Sequence, residues 1–321
     1  MIETADLTRR YDDLVAVNQL NLSVPEGQRC ALLGPNGAGK STTLLMLTTL
    51  LKPTSGAARV NGFDVVRQPG KVRRSIGVVF QEPSSDDTLT GYENLKLHGM
   101  LYGMARDLRE RRIAELLELV ELTSRRNDVV KHYSGGMRRR LEIARGLMHQ
   151  PKLLFLDEPT LGLDPQSREH LWRHIDELAR EHRITLILTT HYMDEAERLC
   201  DRIAIMDAGK IVASDTPERL KQVIGGDVVT LKAPAGIAPQ LERLPYVSRV
   251  EVRDGLVAVT TTDARRNLQE LLAAAGAVEY VEVHSPTLND VFLHFTGRDL
   301  RPDTPEGGWA ERSMQYRSRT K

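Results

Sequence analysis

This chain of 321 residues is first narrowed by what it lacks. It has no net charge, because 44 lysines and arginines balance 44 aspartates and glutamates. No global field therefore draws it to nucleic acid, although a local basic patch stays open. Its two cysteines, Cys30 and Cys200, are far apart and form no CxxC pair. That argues against a disulfide or a thiolate metal site and for two reduced, buried thiols. There is no long apolar run. The best, Leu44 to Leu51, is broken by Thr48 and Thr49, well short of the ~18 residues that cross a bilayer. The N-terminus, Met1-Ile-Glu-Thr-Ala-Asp, places acids where a secretion signal would place bases. The chain is thus expected not to span a membrane by itself. With 40% hydrophobic and 27% charged residues it reads as globular, with length for two domains.

What is present follows an order. Asp6–Tyr11 and the alternating stretch Val15–Val24 predict antiparallel β-structure closed by Pro25-Glu26-Gly27. Arg29–Leu33, Ile76–Phe80, Lys152–Leu156 and Ile184–Leu188 read as buried strands, and helical patterns follow them. The stretch from Thr90 to about Leu122 reads as helical. Strands alternating with helices predict an α/β domain with a mainly parallel central sheet. Composition changes near Gly225-Gly226, so residues 1–224 are expected to form the main domain and 225–297 a small α+β module. The polar stretch 298–321 reads as a disordered tail.

The chemistry concentrates in one loop. Gly34-Pro35-Asn36-Gly37-Ala38-Gly39-Lys40-Ser41, with Thr42 beside it, matches G-x-x-x-x-G-K-[ST] between a strand and a helix. Such a loop turns backbone amides toward phosphates, and the following helix adds its positive end. Lys40 can reach the β- and γ-phosphates, and Ser41 can ligate Mg²⁺. The reading is ATP binding and hydrolysis. Lys152–Glu158 supplies the complement: a buried strand delivers Asp157 for Mg²⁺ and Glu158 to polarise the attacking water. Ser134-Gly135-Gly136 opens an amphipathic helix and reads as a second anion-binding helix start, one more than a single nucleotide needs. Asp164-Pro165 reads as an N-cap with a first-turn proline. Arg138-Arg139-Arg140 and the pair His170 and His174 are expected to lie on solvated helix faces.

Together these motifs resemble ABC-transporter ATP-binding subunits. Gly34–Ser41, Gln81, Ser134–Met137, Leu153–Thr160, Gly162–Asp164 and His191 occur in the family's order, over roughly Met1 to Pro217. The resemblance implies a P-loop NTPase with an antiparallel β-subdomain and a helical subdomain. It implies that Tyr11 stacks on adenine and that Gln81 contacts Mg²⁺ and the attacking water. His191 would bond the γ-phosphate. It also explains the spare anion site: two copies pair head to tail, and Ser134–Gly136 of one caps the γ-phosphate on the loop of the other, with Asp164 at the seam. Tyr133 stands where the family usually has leucine, so altered packing without loss of function is expected. Ser285–Phe292 followed by Phe295-Thr-Gly297, and the stretch Gln81–Asn94, look like the daunorubicin-resistance and nodulation-export type.

The expected role is the ATPase of an exporter for a drug, antibiotic or lipid-like substance. It would lie at the cytoplasmic face of the membrane on separate membrane-spanning subunits, with ATP and Mg²⁺ as cofactors. No nucleic acid partner is expected. The competing readings are an importer ATPase with a regulatory C-terminal module and a soluble ATPase of DNA repair or translation. The absence of a heptad-rich insertion and of a second cassette argues against the latter.

Overall fold

Short apolar strands buried on both faces produce the central sheet that organises the first part of the chain. Its order is Lys210–Asp215, Arg202–Asp207, Arg29–Leu33, Thr185–Thr190, Leu153–Asp157 and Ile76–Val79. The last five pair in parallel. The computed structural model describes residues 1–297 apart from 182, 234, 254 and 255. The expected tail over 298–321 lies outside the described residues.

A second, antiparallel sheet is built on Ile2–Tyr11, which pairs with Leu14–Leu20, Ser23–Val24 and Ser55–Val60. Phe63–Asp64 adds to Ser55–Val60 across the tight turn Asn61-Gly62. One core cluster joins residues of the two sheets, including Ile2, Leu20, Cys30, Leu32 and Phe155. Both thiols are free and buried, and burial pushes Cys30 up to about 12. The α/β class with a β-subdomain and a helical subdomain is as expected.

The helical stretch predicted from Thr90 to Leu122 is two helices, Gly91–Leu101 and Arg106–Leu119. The first starts on a reciprocal capping box between Thr90 and Glu93. It ends where Gly103 takes a left-handed φ of 68° and its amide bonds the Met100 carbonyl, a conformation that only glycine adopts at no steric cost. Helices Gly135–Leu147 and Pro165–Glu181 follow. His174 corrects the expected solvated face: it is 8% exposed, and burial lowers its pKa.

By backbone contacts the chain falls into a unit ending at Val212 and a unit beginning at Ala213. The second begins ahead of the compositional change at Gly225 because helix Pro217–Gln222 packs on helix Leu288–Thr296. Its sheet is antiparallel, ordered Val247–Arg253, Leu256–Thr261, Asp227–Lys232 and Tyr280–His284, with helix Ala264–Ala275 over a separate small core. In helix Leu288–Thr296, Leu288, Val291 and Phe292 are buried, whereas Phe295 is exposed. Phe292→Ala is expected to destabilise the second unit by about 3–5 kcal/mol. Urea unfolding followed by hydrogen exchange on that helix checks this, and an unchanged midpoint refutes it.

Candidate active site

The loop begins where the central strand Arg29–Leu33 ends and closes on helix Lys40–Leu47. Two of its glycines are required by space. A side chain on Gly34 would put Cβ 2.3 Å from the Met206 carbonyl oxygen, and one on Gly39 would put it 2.5 Å from that of Ala16. Gly39 also has φ 99°. As N-cap, Gly39 offers no side chain to the first helical amides, so these stay open to an anionic group. Pro35, Asn36, Gly37 and Ala38 form the crest, with Asn36 and Gly37 exposed.

Lys40 is almost fully buried. Its ammonium donates to the Gly34 and Pro35 carbonyls at 2.7 and 3.0 Å and lies 3.5 Å from Glu158 Oε1. Ser41 Oγ donates to Asp157 Oδ1 at 3.2 Å, and Thr189 Oγ1 donates to the same oxygen. Thr42 stands half-buried in the first helical turn. This hydroxyl and carboxylate are hard oxygen donors in contact, which fits Mg²⁺.

Glu158 sits just past its strand at φ 45°, and its amide donates to Thr189. His191 Nδ1 lies 2.9 Å from Glu158 Oε2. Burial alone would raise the Glu158 carboxyl, but His191 and the Lys40 ammonium hold it below the ordinary glutamate range. Glu158 therefore stabilises the folded chain at neutral pH, and this contribution is lost as pH falls through its lowered pKa. Burial raises Asp157, with the Thr189 hydrogen bond opposing. Two adjacent carboxyls are thus pushed in opposite directions.

The structure brings Gly34–Thr42, Asp157, Glu158 and His191 together. Tyr11 closes the hairpin opposite Leu14, two residues before Ala16, whose carbonyl abuts Gly39. Its ring carries the Arg9 guanidinium 4.4 Å from the centroid. Gln81 follows the edge strand Ile76–Val79 and is half-buried. Ser134 caps helix Gly135–Leu147 by accepting from the Met137 amide at 3.2 Å. Asp164 caps helix Pro165–Glu181 through the Ser167 amide at 3.0 Å. A Cβ on Gly136 would lie 3.5 Å from Ser167 Oγ, so the two helix starts are neighbours. Ser134, Gly135 and Asp164 are exposed, and among the described residues no hydrogen bond joins Ser134–Gly136 to Gly34–Ser41.

Two residues have a larger part than their sequence context indicates. Arg139, expected on a solvated face, is 7% exposed. Its guanidinium donates to the carbonyls of Phe80, Asp157 at 2.8 Å and Pro159 at 2.7 Å, binding together the ends of two sheet strands. Burial lowers its pKa to about 10, so it stays charged at neutral pH. One turn on, buried Glu142 accepts from the Ser84 and Ser85 amides at 3.1 and 2.7 Å, which anchors the segment after Gln81 to the same helix. A run of three arginines carries no signal of which one faces inward. Tyr133, at the position where leucine was the family's usual residue, is buried, and its hydroxyl donates to the Arg125 carbonyl at 2.8 Å while packing on Gly91.

Residues 17–161 match the ABC transporter family, and residues 216–296 match the ATP-binding protein DrrA1-3-like, C-terminal domain. The chain is 43% identical to the daunorubicin/doxorubicin resistance ATP-binding protein DrrA of Streptomyces peucetius, over 92% of each chain. It is 38% identical to Nod factor export ATP-binding protein I of Cupriavidus pinatubonensis, over 94% of this chain and 92% of the relative. A solved dimeric post-hydrolysis state of the ATP-binding cassette MJ0796, bound to ADP and Pi, is similar at 28% identity and TM-score 0.61. That likeness covers 67% of this chain and 98% of the other. The importer and soluble-ATPase readings are not favoured by these likenesses.

Arg139→Ala leaves three carbonyls without their donor and removes a buried positive charge coupled to four buried acids. It is expected to cost about 3–5 kcal/mol, measured by chemical denaturation, with no rescue by lysine, which cannot span three acceptors. Tyr133→Phe is expected to cost about 1 kcal/mol with ATP turnover retained. Loss of turnover in a stable Tyr133→Phe chain would show that the hydroxyl does more than pack.

Proposed function

The chain belongs to the ABC transporter family as an ATP-hydrolysing subunit of the exporter type, and from this we propose that Glu158 is its general base, at a site that a second copy completes. The observation that carries the reading is the Glu158 carboxylate, kept ionised between His191 and Lys40 at the mouth of the phosphate-type loop. Glu158 accepts the proton of the attacking water. His191 holds that carboxylate in place and presents its other ring nitrogen to the γ-phosphate. Lys40 and the open amides from Gly34 to Thr42 balance the phosphate charge. Ser41 and Asp157, with Gln81, would hold Mg²⁺, which when bound neutralises charge on the phosphate oxygens. Tyr11 offers its face to adenine.

Ser134-Gly135-Gly136 and Asp164 form one exposed corner, which supports their engaging the loop of a partner copy rather than their own. Closure of the pair on two ATP molecules and its release after hydrolysis would then drive membrane-spanning subunits. Leu97, Met100 and Leu101 stand exposed on one side of helix Gly91–Leu101 and suit such a partner. Among the described residues no helix is long and apolar enough to cross a membrane; the chain's likeness to export ATP-binding proteins supports a peripheral place at the cytoplasmic face. The names of its relatives support export of a drug-like, antibiotic or lipid-like small molecule.

Glu158→Gln is expected to keep ATP binding, slow turnover by at least about 100-fold and trap an ATP-bound dimer on size exclusion. Turnover at the parent rate would remove Glu158 from the role of base.

A further inference from the structure

A second group of ligating atoms lies on the first unit, outside the phosphate-type loop. Glu121 follows helix Arg106–Leu119, while His170 and His174 stand one turn apart on helix Pro165–Glu181. Imidazoles at i and i+4 share a helix face. One ligand atom from each of the three residues lies within 4.8 Å of the others. His170 Nε2 is 3.0 Å from Glu121 Oε2, and His174 Nε2 is 3.6 Å from Glu121 Oε1.

The His174 geometry points to a cation. Its Nδ1 faces the His170 carbonyl oxygen at 3.1 Å, an acceptor, so the ring N–H belongs there. Nε2 then turns a bare lone pair toward a carboxylate oxygen: two acceptors face each other at a distance too long for a hydrogen bond. A buried ring with its far nitrogen tied to a backbone carbonyl is the arrangement by which proteins orient a metal-binding histidine.

We propose that Glu121, His170 and His174 bind one divalent transition-metal ion of the zinc type, clamping the end of helix Arg106–Leu119 to helix Pro165–Glu181. Two imidazoles and one carboxylate favour zinc or cobalt over magnesium, and three protein ligands leave a fourth position for water. Two cations border the site. Arg140 lies 3.3 Å from Glu121 Oε2 but also holds the Val120 carbonyl at 2.9 Å, and it leaves Oε1 facing His174. The exposed Arg173 guanidinium lies 2.9 Å from His170 Nδ1. When His170 ligates through Nε2 its ring proton sits on Nδ1, and Arg173 turns to solvent.

The test titrates the metal-stripped full chain with Co²⁺ in saturating MgADP, so that the Ser41 and Asp157 oxygens are occupied. The expected result is one Co²⁺ per chain with an intense tetrahedral visible band, which Zn²⁺ displaces, and a raised Tm with Zn²⁺. His170→Ala and Glu121→Gln, at accessible positions that spare the buried His174, should weaken Co²⁺ binding at least about tenfold. A folded parent chain with no visible band overturns the proposal, as does a band whose affinity is unchanged in both variants.

Discussion

Charge buried at the C-terminal edge of the central sheet has to be compensated, and one buried guanidinium is felt by all of the acids there. Asp157, Glu158, Glu142 and Glu195 are all buried there, against the buried cations Lys40 and Arg139. Arg139 is electrostatically coupled to all four acids. An unpaired ion in such a place is strongly destabilising, whereas a cation with full hydrogen bonding can hold several acids in register. Its three carbonyl partners lie at the ends of the strands that carry Gln81 and Asp157, so the same contact that tolerates the charge also fixes the edge on which the chemistry depends.

Because Arg139 belongs to the helix that Ser134 caps, that helix start cannot move independently of the strand ends. Glu142 adds a second tie, from the same helix to the segment that follows Gln81. Glu195 adds a third. Its carboxylate, fully buried with a pKa raised by burial, accepts from Thr160 at 2.7 Å and from Trp172 at 3.0 Å, which joins the segment after Glu158 to helix Pro165–Glu181. The exposed corner at Ser134 and Asp164 and the Glu158 carboxylate are thus parts of one bonded frame.

Much of this was legible along the chain. Gly34–Ser41 is recognisable because the backbone path past Met206 and Ala16 admits only glycine at two of its positions, and the lysine and serine must follow at fixed distance. The strand that delivers Asp157 is recognisable because five consecutive residues are buried. Short-range capping rules located Ser134 and Asp164, since a cap is a contact between residues three apart.

Sequence by itself thus determined the elements and the phosphate-type loop, both of which depend on near neighbours or on period. Tertiary structure decided which member of Arg138-Arg139-Arg140 enters the sheet edge and that His174 is turned to Glu121 rather than to water. It also decided that the pKa values of Asp157 and Glu158, adjacent in sequence, are pushed in opposite directions. Burial and pKa are set by the groups packed around a side chain, and here those groups come from segments tens of residues away. No spacing along the chain encodes them.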